Sequence, residues 1–151
     1  MHQLLVREAQ QHDFNDLLSL ISVFPHQDHK QDEELIAQRF HEILEDRRMH
    51  LLVSEAEGSV VSTCTLVILP NMTRRGRPYG LVEVVATKPE FRRKGAATAV
   101  LSEALQRAWR ADCYKVMLHS GKRNLEAHKF YQQCGFEESR LGFQMENPSL
   151  I

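Results

Sequence analysis

The feature that most constrains this chain is a junction two thirds of the way along it. Leu81 to Thr87 is apolar apart from Glu83, Arg92-Arg93-Lys94-Gly95-Ala96-Ala97 forms a basic turn, and Thr98 to Trp109 is amphipathic. In the last run Val100, Leu101, Ala104, Leu105 and Ala108 recur at helical spacing. A second apolar run, Tyr114 to His119, follows. A strand, a turn, a helix and a strand in that order form a crossover unit that is right-handed by default, and its first strand reads as central and buried on both faces. The turn has chemistry of its own. At a helix start the first backbone N–H groups lack intrahelical partners and lie at the positive end of the helix dipole. Gly95 allows close backbone approach and Ala96 and Ala97 keep side chains away, so the turn suits a phosphate.

The remaining elements fit around this unit. Gln3 to Arg7 alternates weakly and reads as an edge or first strand. Asp13 is placed to cap a helix carrying Phe14, Leu17, Leu18 and Ile21, which must stop before Pro25. His26-Gln27-Asp28-His29 reads as a polar loop. A second helix carries Leu35, Ile36, Phe40, Ile43 and Leu44, with Asp32, Glu33 and Glu34 in its first turn, and ends near Arg47. Leu51 to Ser54, a turn at Glu57-Gly58 and Ser59 to Leu69 read as a hairpin. Pro70 to Pro78 is a loop holding three arginines. Asn124 can cap a short helix through Gln133, which ends on Cys134-Gly135-Phe136. Two short strands near Phe136 to Glu138 and Leu141 to Met145 close the chain. The order is β-α-α-β-β-β-α-β-α-β-β, a mixed α/β sheet with helices on both faces, and residues 1–151 read as one domain.

Composition narrows the classes of partner. Lys+Arg 19 against Asp+Glu 20 gives a net charge of -1, so neither nucleic acid nor an anionic membrane is an expected partner. Cys64, Cys113 and Cys134 lack the paired spacing of a zinc site or disulfide framework, which points to a reducing, cytoplasmic setting. His26 and His29 are assigned no metal. No apolar run approaches the roughly 20 residues of a membrane span.

The phosphate turn alone fits several classes of nucleotide binder. A dinucleotide fingerprint requires three spaced glycines, and a P-loop requires Gly-Lys-Ser/Thr; neither is present. Glu83 adds a carboxylate inside an apolar strand, where it needs a partner or a role. Downstream lies Asn124-x-x-Ala127-His128-x-Phe130-Tyr131-x-x-x-Gly135-Phe136. With both motifs in order and on suitable elements, the chain resembles the GNAT superfamily of acetyl-coenzyme-A-dependent N-acetyltransferases over almost its whole length. Leu81-Val82-Glu83-Val84-Val85 and its basic turn also resemble, locally, the glucosamine-6-phosphate acetyltransferase branch.

The resemblance implies an enzyme that moves an acetyl group from acetyl-CoA directly to a primary amine of a small molecule, with room for a homodimer. It implies that backbone N–H groups of Arg92, Arg93, Lys94, Gly95, Ala96 and Ala97 cradle the pyrophosphate, and that Val84, Val85 and Ala86 pair with the pantetheine arm as an added strand. An N–H there, that of Val85, would polarise the thioester carbonyl. Asn124 would bond the pantetheine or phosphate end, and Tyr131 would protonate the departing thiolate. Ala97 stands where glycine is commoner.

The base that frees the amine is first Glu83, whose buried setting would raise its pKa. Tyr79 or a loop arginine would otherwise satisfy that carboxylate. His119, acting through water, is the second candidate, and solvent the third. Arg74, Arg75 and Arg77, in the loop before the central strand, would bind a carboxylate or phosphate on the acceptor. Three rivals stand beside this reading: a non-catalytic acetyl-CoA sensor, an interaction domain on the same fold, and a protein or peptide N-acetyltransferase.

Overall fold

A computed structural model describes residues 3–24 and 32–150. The polar loop with His26 and His29 lies outside the described residues. The chain divides into two compact units, Met1–Leu118 and His119–Ile151.

The first unit is a five-stranded mixed sheet with strands in chain order, β1 to β5. β1 (Leu5–Glu8) is an edge strand antiparallel to β2 (Met49–Ala56), and β2 is antiparallel to β3 (Ser59–Leu69). Glu57 and Gly58 link these last two with φ of 53° and 77°. Two successive positive φ values define the hairpin turn whose twist matches its strands. β3 is antiparallel to β4 (Tyr79–Thr87), and β4 runs parallel to β5 (Val116–Leu118). The parallel pair requires a crossover, supplied by α3 (Ala96–Arg110).

Helices cover both faces. α1 (Phe14–Ile21) and α2 (Glu33–Glu45) bring Leu17, Leu20 and Phe40 onto Val53, Val60 and Ala86. Phe14 and Phe40 meet with ring centroids 5.4 Å apart. Asp32 caps α2 by accepting from the Leu35 N–H at 3.0 Å. On the other face α3 buries Ala96, Val100, Leu101, Ala104 and Ala108. Small polar side chains of the sheet hold it there: Ser54 Oγ donates to the Ala96 carbonyl at 3.3 Å, and Cys64 Sγ to that of Val100 at 3.6 Å. Burial pushes the Cys64 thiol up to about 12, so this sulfur is an inert packing group.

Asp13 departs from its expected role. Its side chain does not cap α1. It accepts from the Gln10 N–H at 2.7 Å and from both terminal nitrogens of Arg7, at 2.7 and 2.9 Å. Arg7 also reaches Glu55. A bidentate guanidinium is a stronger donor than a helix end, and it binds the edge strand to the chain that enters α1.

The second unit holds α4 (Leu125–Gln133), followed by non-regular chain and a short turn at Pro148–Leu150. The two closing strands expected from the sequence are absent: residues 136–147 form no ladder. Leu141, Phe143 and Met145 alternate as a strand would, but a strand also requires a paired neighbour. The observed order is therefore β-α-α-β-β-β-α-β-α.

Candidate active site

β4 is two strands in one. From Gly80 to Val82 it is paired on both sides, with these three residues opposite Val116, Met117 and Leu118 on β5. Gly80 makes this closure possible. A Cβ there would stand 3.0 Å from both Leu66 Cδ1 and Val116 Cγ2. Beyond Val82 the ladder to β5 ends.

At that point β4 bulges. Thr65 pairs with Glu83 but Thr63 pairs with Ala86, so three steps on β4 answer two on β3. The extra residue distorts the strand at Val84, whose φ is 53°. A β-branched side chain in that region is strained, at about 1–3 kcal/mol. The bulge also reverses the alternation, so that Ala86 packs with α1 and α2. Ser62 Oγ donates to the Ala86 carbonyl at 3.0 Å and lies 2.8 Å from Thr87 Oγ1, which ties the strand to β3 beyond the distortion. From Glu83 to Thr87 the other edge of β4 has no strand beside it among the described residues. That edge offers backbone donors and acceptors to an extended ligand arm.

The same strand leads into the basic turn. A short turn at Pro89–Phe91 precedes Arg92, Arg93 has φ 59° and Gly95 has φ 84°. Gly95 is required here for its backbone, and a Cβ on it would meet nothing within 4 Å. Arg92, Arg93, Lys94 and Gly95 are exposed, whereas Ala96 is 1% exposed and anchored by Ser54. An anchored helix start with open space before it fits a pyrophosphate.

The expected site residues separate into groups. Val84, Val85, Ala86 and Arg92 to Ala97 lie along one continuous path, the open edge and the turn it feeds. Glu83 opens that path, but it is exposed. Burial therefore does not act on its carboxylate, and neither Tyr79 nor an arginine pairs with it among the described residues. The strand is apolar by composition, yet the bulge and the end of the β5 ladder uncover this residue.

Arg74, Arg75 and Arg77 lie elsewhere. Their loop precedes Tyr79, at the opposite end of β4 from the turn, beyond the closed half. Arg77 Nε pairs with Asp112 at 3.2 Å, and Arg74 stands over the Tyr114 ring at 5.4 Å. Asn71 Nδ2 braces the loop by donating to the carbonyls of Thr73 and Arg77 at 3.0 and 3.1 Å. The structure does not bring these arginines to the open edge of β4.

In the second unit, Asn124 Oδ1 caps α4 by accepting from the Ala127 N–H at 3.1 Å. Its amide nitrogen is the part left for a ligand. Tyr131 is half-buried and packs against Phe136, with ring centroids 6.1 Å apart. Gly135, at φ 94°, ends the helix; its N–H donates to the Gln132 carbonyl, and that of Phe136 to the Tyr131 carbonyl, both at 3.0 Å. These two bonds form the Schellman closure that Gly135-Phe136 predicts. His119 is exposed beside Gly142, where a Cβ would come within 3.0 Å of the imidazole Cδ2.

Sequence reasoning missed the bulge, Gly80 and Ser54. Gly80 alone left a signal, as a glycine inside an apolar strand. Among the described residues there is no cluster of metal-ligating side chains, and no helix is long and apolar enough to cross a membrane.

The chain is similar to known acetyltransferases. The chain is 34% identical over 79 residues to a glucosamine 6-phosphate N-acetyltransferase of Trypanosoma brucei brucei, covering 52% of each chain. It is 30% identical over 90 residues to N-alpha-acetyltransferase 30 of Xenopus laevis, covering 60% of this chain and 31% of that one. The matches thus span about half or less of the length of these curated relatives. A solved structure from Agrobacterium tumefaciens str. C58, assigned provisionally to the acetyltransferases, is 34% identical. It superposes with a TM-score of 0.89 over 95% of this chain and 99% of its own. Residues 6–136 match the Acetyltransferase (GNAT) family, and the chain belongs to that family.

Proposed function

We propose that the protein transfers an acetyl group from acetyl-CoA to a primary amine of a small molecule, in the cytoplasm and as a homodimer, with residues 1–151 working as one domain. The observation that carries this reading is the open edge of β4 from Glu83 to Thr87, bulged at Val84 and continuous with the Arg92 to Ala97 turn. A pyrophosphate held by the turn's N–H groups directs the pantetheine arm along that edge, where it pairs with Val84, Val85 and Ala86 as an added strand. The Val85 N–H then donates to the thioester oxygen as negative charge develops there.

In the reaction the amine nitrogen attacks the thioester carbon, the C–N bond forms, and the C–S bond breaks to release coenzyme A thiolate. Tyr131 returns a proton to the sulfur, and the amine's proton leaves to a base. Asn124 steadies the coenzyme through its amide nitrogen. Glu83 is the first base and His119 the second. Glu83 is supported by its position as the first residue past the last β4 rung to β5, and His119 by following directly on Leu118 of that rung.

Thiol release in an amine screen tests the reaction, and calorimetry tests the cofactor site. Gly95→Glu places a side chain and a negative charge at φ 84° in the phosphate turn, and should reduce acetyl-CoA affinity at least 100-fold. Binding at parental strength would refute the turn's role. Tyr131→Phe should lower turnover roughly 10²-fold with little change in cofactor affinity.

A peptide N-terminus is the alternative acceptor, favoured by the similarity to N-alpha-acetyltransferase 30. Amino sugars and short peptides in one screen separate the two.

A further inference from the structure

Two buried serines form one rung of the sheet. Ser54 on β2 pairs with Ser62 on β3, and both are 0% exposed. In a sheet interior an apolar side chain is the ordinary occupant, and what a hydroxyl adds is direction. Each serine spends that direction outside the β2 and β3 pair. Ser54 Oγ donates to the Ala96 carbonyl at 3.3 Å and Ser62 Oγ to the Ala86 carbonyl at 3.0 Å. These two carbonyls lie in the basic turn's helix start and in the open edge of β4, the segments read above as holding the pyrophosphate and the pantetheine arm.

A peptide unit is planar and trans, so its C=O and N–H point in opposite directions and fixing one aims the other. The Ala96 carbonyl shares its peptide with the Ala97 N–H, which lies in the first turn of α3 and has no intrahelical acceptor. Holding that carbonyl aims this N–H out of the helix start. The Ala86 carbonyl shares its peptide with the Thr87 N–H. Ser62 draws the carbonyl towards β3, so the N–H faces the open edge. The Thr87 carbonyl faces the same way, because the Lys88 N–H in its peptide donates to the Val61 carbonyl of β3 at 2.9 Å. Ser62 has one hydroxyl hydrogen, given to Ala86, so in its 2.8 Å contact with Thr87 Oγ1 the threonine is the donor. A closed chain of hydrogen bonds thus locks the peptide between Ala86 and Thr87.

We propose that the rung of Ser54 and Ser62 is a positioning element for the coenzyme. Ser54 aims the Ala97 N–H at the pyrophosphate, and Ser62 aims the Thr87 N–H at the pantetheine arm. Neither serine touches the coenzyme, and each serves one half of it. The proposal rests on the acetyl-CoA reading above and adds to it a division of labour between two buried hydroxyls.

NMR titrations of the full chain with acetyl-CoA and with its two halves, 3′-phospho-ADP and acetylpantetheine, test this division. Ser54→Ala should weaken 3′-phospho-ADP about tenfold and leave acetylpantetheine within about twofold. Ser62→Ala should do the reverse, and the ligand-induced shift of the Thr87 amide should shrink with it. Thr87→Val removes the hydroxyl that orients Ser62 and should weaken acetylpantetheine alone, by about threefold. Where an alanine variant does not fold, cysteine at the same position, similar in volume and a weaker donor, should give smaller losses of the same crossed pattern.

A general loosening of the sheet would weaken both halves together in each variant and lower the melting temperature, and that result refutes the proposal. So does parental affinity for both halves in both serine variants. A parent that binds acetyl-CoA while the crossed pattern is missing overturns the positioning role only. A parent that does not bind acetyl-CoA overturns the coenzyme reading and this proposal with it.

Discussion

The two halves of β4 share one backbone and a similar composition, yet they behave in opposite ways. Gly80 to Val82 is zipped to both neighbours, with Gly80 letting Leu66 and Val116 close in. Glu83 to Thr87 is paired on one side only and carries a strained valine at its first turn away from regularity. The comparison teaches that a binding edge in a sheet is made by withholding hydrogen bonds, and that the withheld bonds need a rigid neighbour to keep the gap from closing. The closed half, Ser62 and the buried helix α3 provide that rigidity.

The most direct way to break the comparison is to remove the bulge. Deleting Val84 leaves Glu83 and Ala86 two steps apart, which matches the two steps from Thr65 to Thr63 and makes β4 regular throughout. Acetyl-CoA affinity should fall at least 100-fold while the fold gains about 1–3 kcal/mol from relief of the left-handed valine. Calorimetry and denaturant titration read the two effects, and a shortened strand that still binds the coenzyme would mean the bulge is incidental.

Damage to the closed half should do the reverse. Gly80→Val drives a branched side chain into Leu66 and Val116, at about 1–3 kcal/mol by overpacking. Unfolding midpoints should drop, while coenzyme affinity measured well below the transition changes by less than about threefold. A large loss of binding in a folded protein would show that the halves are coupled.

A smaller effect sharpens the contrast between site and scaffold. The Arg7 guanidinium beside Asp13 holds its carboxyl below the usual carboxylate range. A depressed folded pKa contributes stability above the unfolded value, near 4, and that stability disappears as pH falls through the folded value. Melting temperature should therefore decline below about pH 4, and Asp13→Asn should flatten the decline without altering coenzyme binding at pH 7. The smallest expected change comes from Val84→Gly, which keeps the bulge but removes its strain. It should add up to about 1 kcal/mol and leave affinity within about twofold.

How far the sequence alone could be read follows from where information is local. The hairpin at Glu57-Gly58, the acidic start of α2, the glycine start of α3 and the Gly135 stop of α4 are set by neighbouring residues, and all were legible. Asp13 was misassigned because its partner, Arg7, lies on another element and outcompetes a helix end. Glu83 was expected to be buried because composition describes the strand and not its bulge or the end of its ladder. That Arg74, Arg75 and Arg77 lie at the far end of β4 from the basic turn was not legible, because sequence adjacency to a strand does not say which of its ends a loop serves. The closing strands failed for a fourth reason: alternation marks a willingness to pair, and no partner strand is present among the described residues.

The Schellman end of α4 has a consequence for mutational behaviour. The Tyr131 carbonyl is held by the N–H of Phe136 across Gly135, and the Tyr131 ring rests on the Phe136 ring. The aim of the tyrosine is thus inherited from a glycine four positions later. A Gly135→Val variant, with its ring chemistry intact, should behave in kinetics as a blurred copy of Tyr131→Phe, and a library screened for activity would return the glycine as often as the tyrosine.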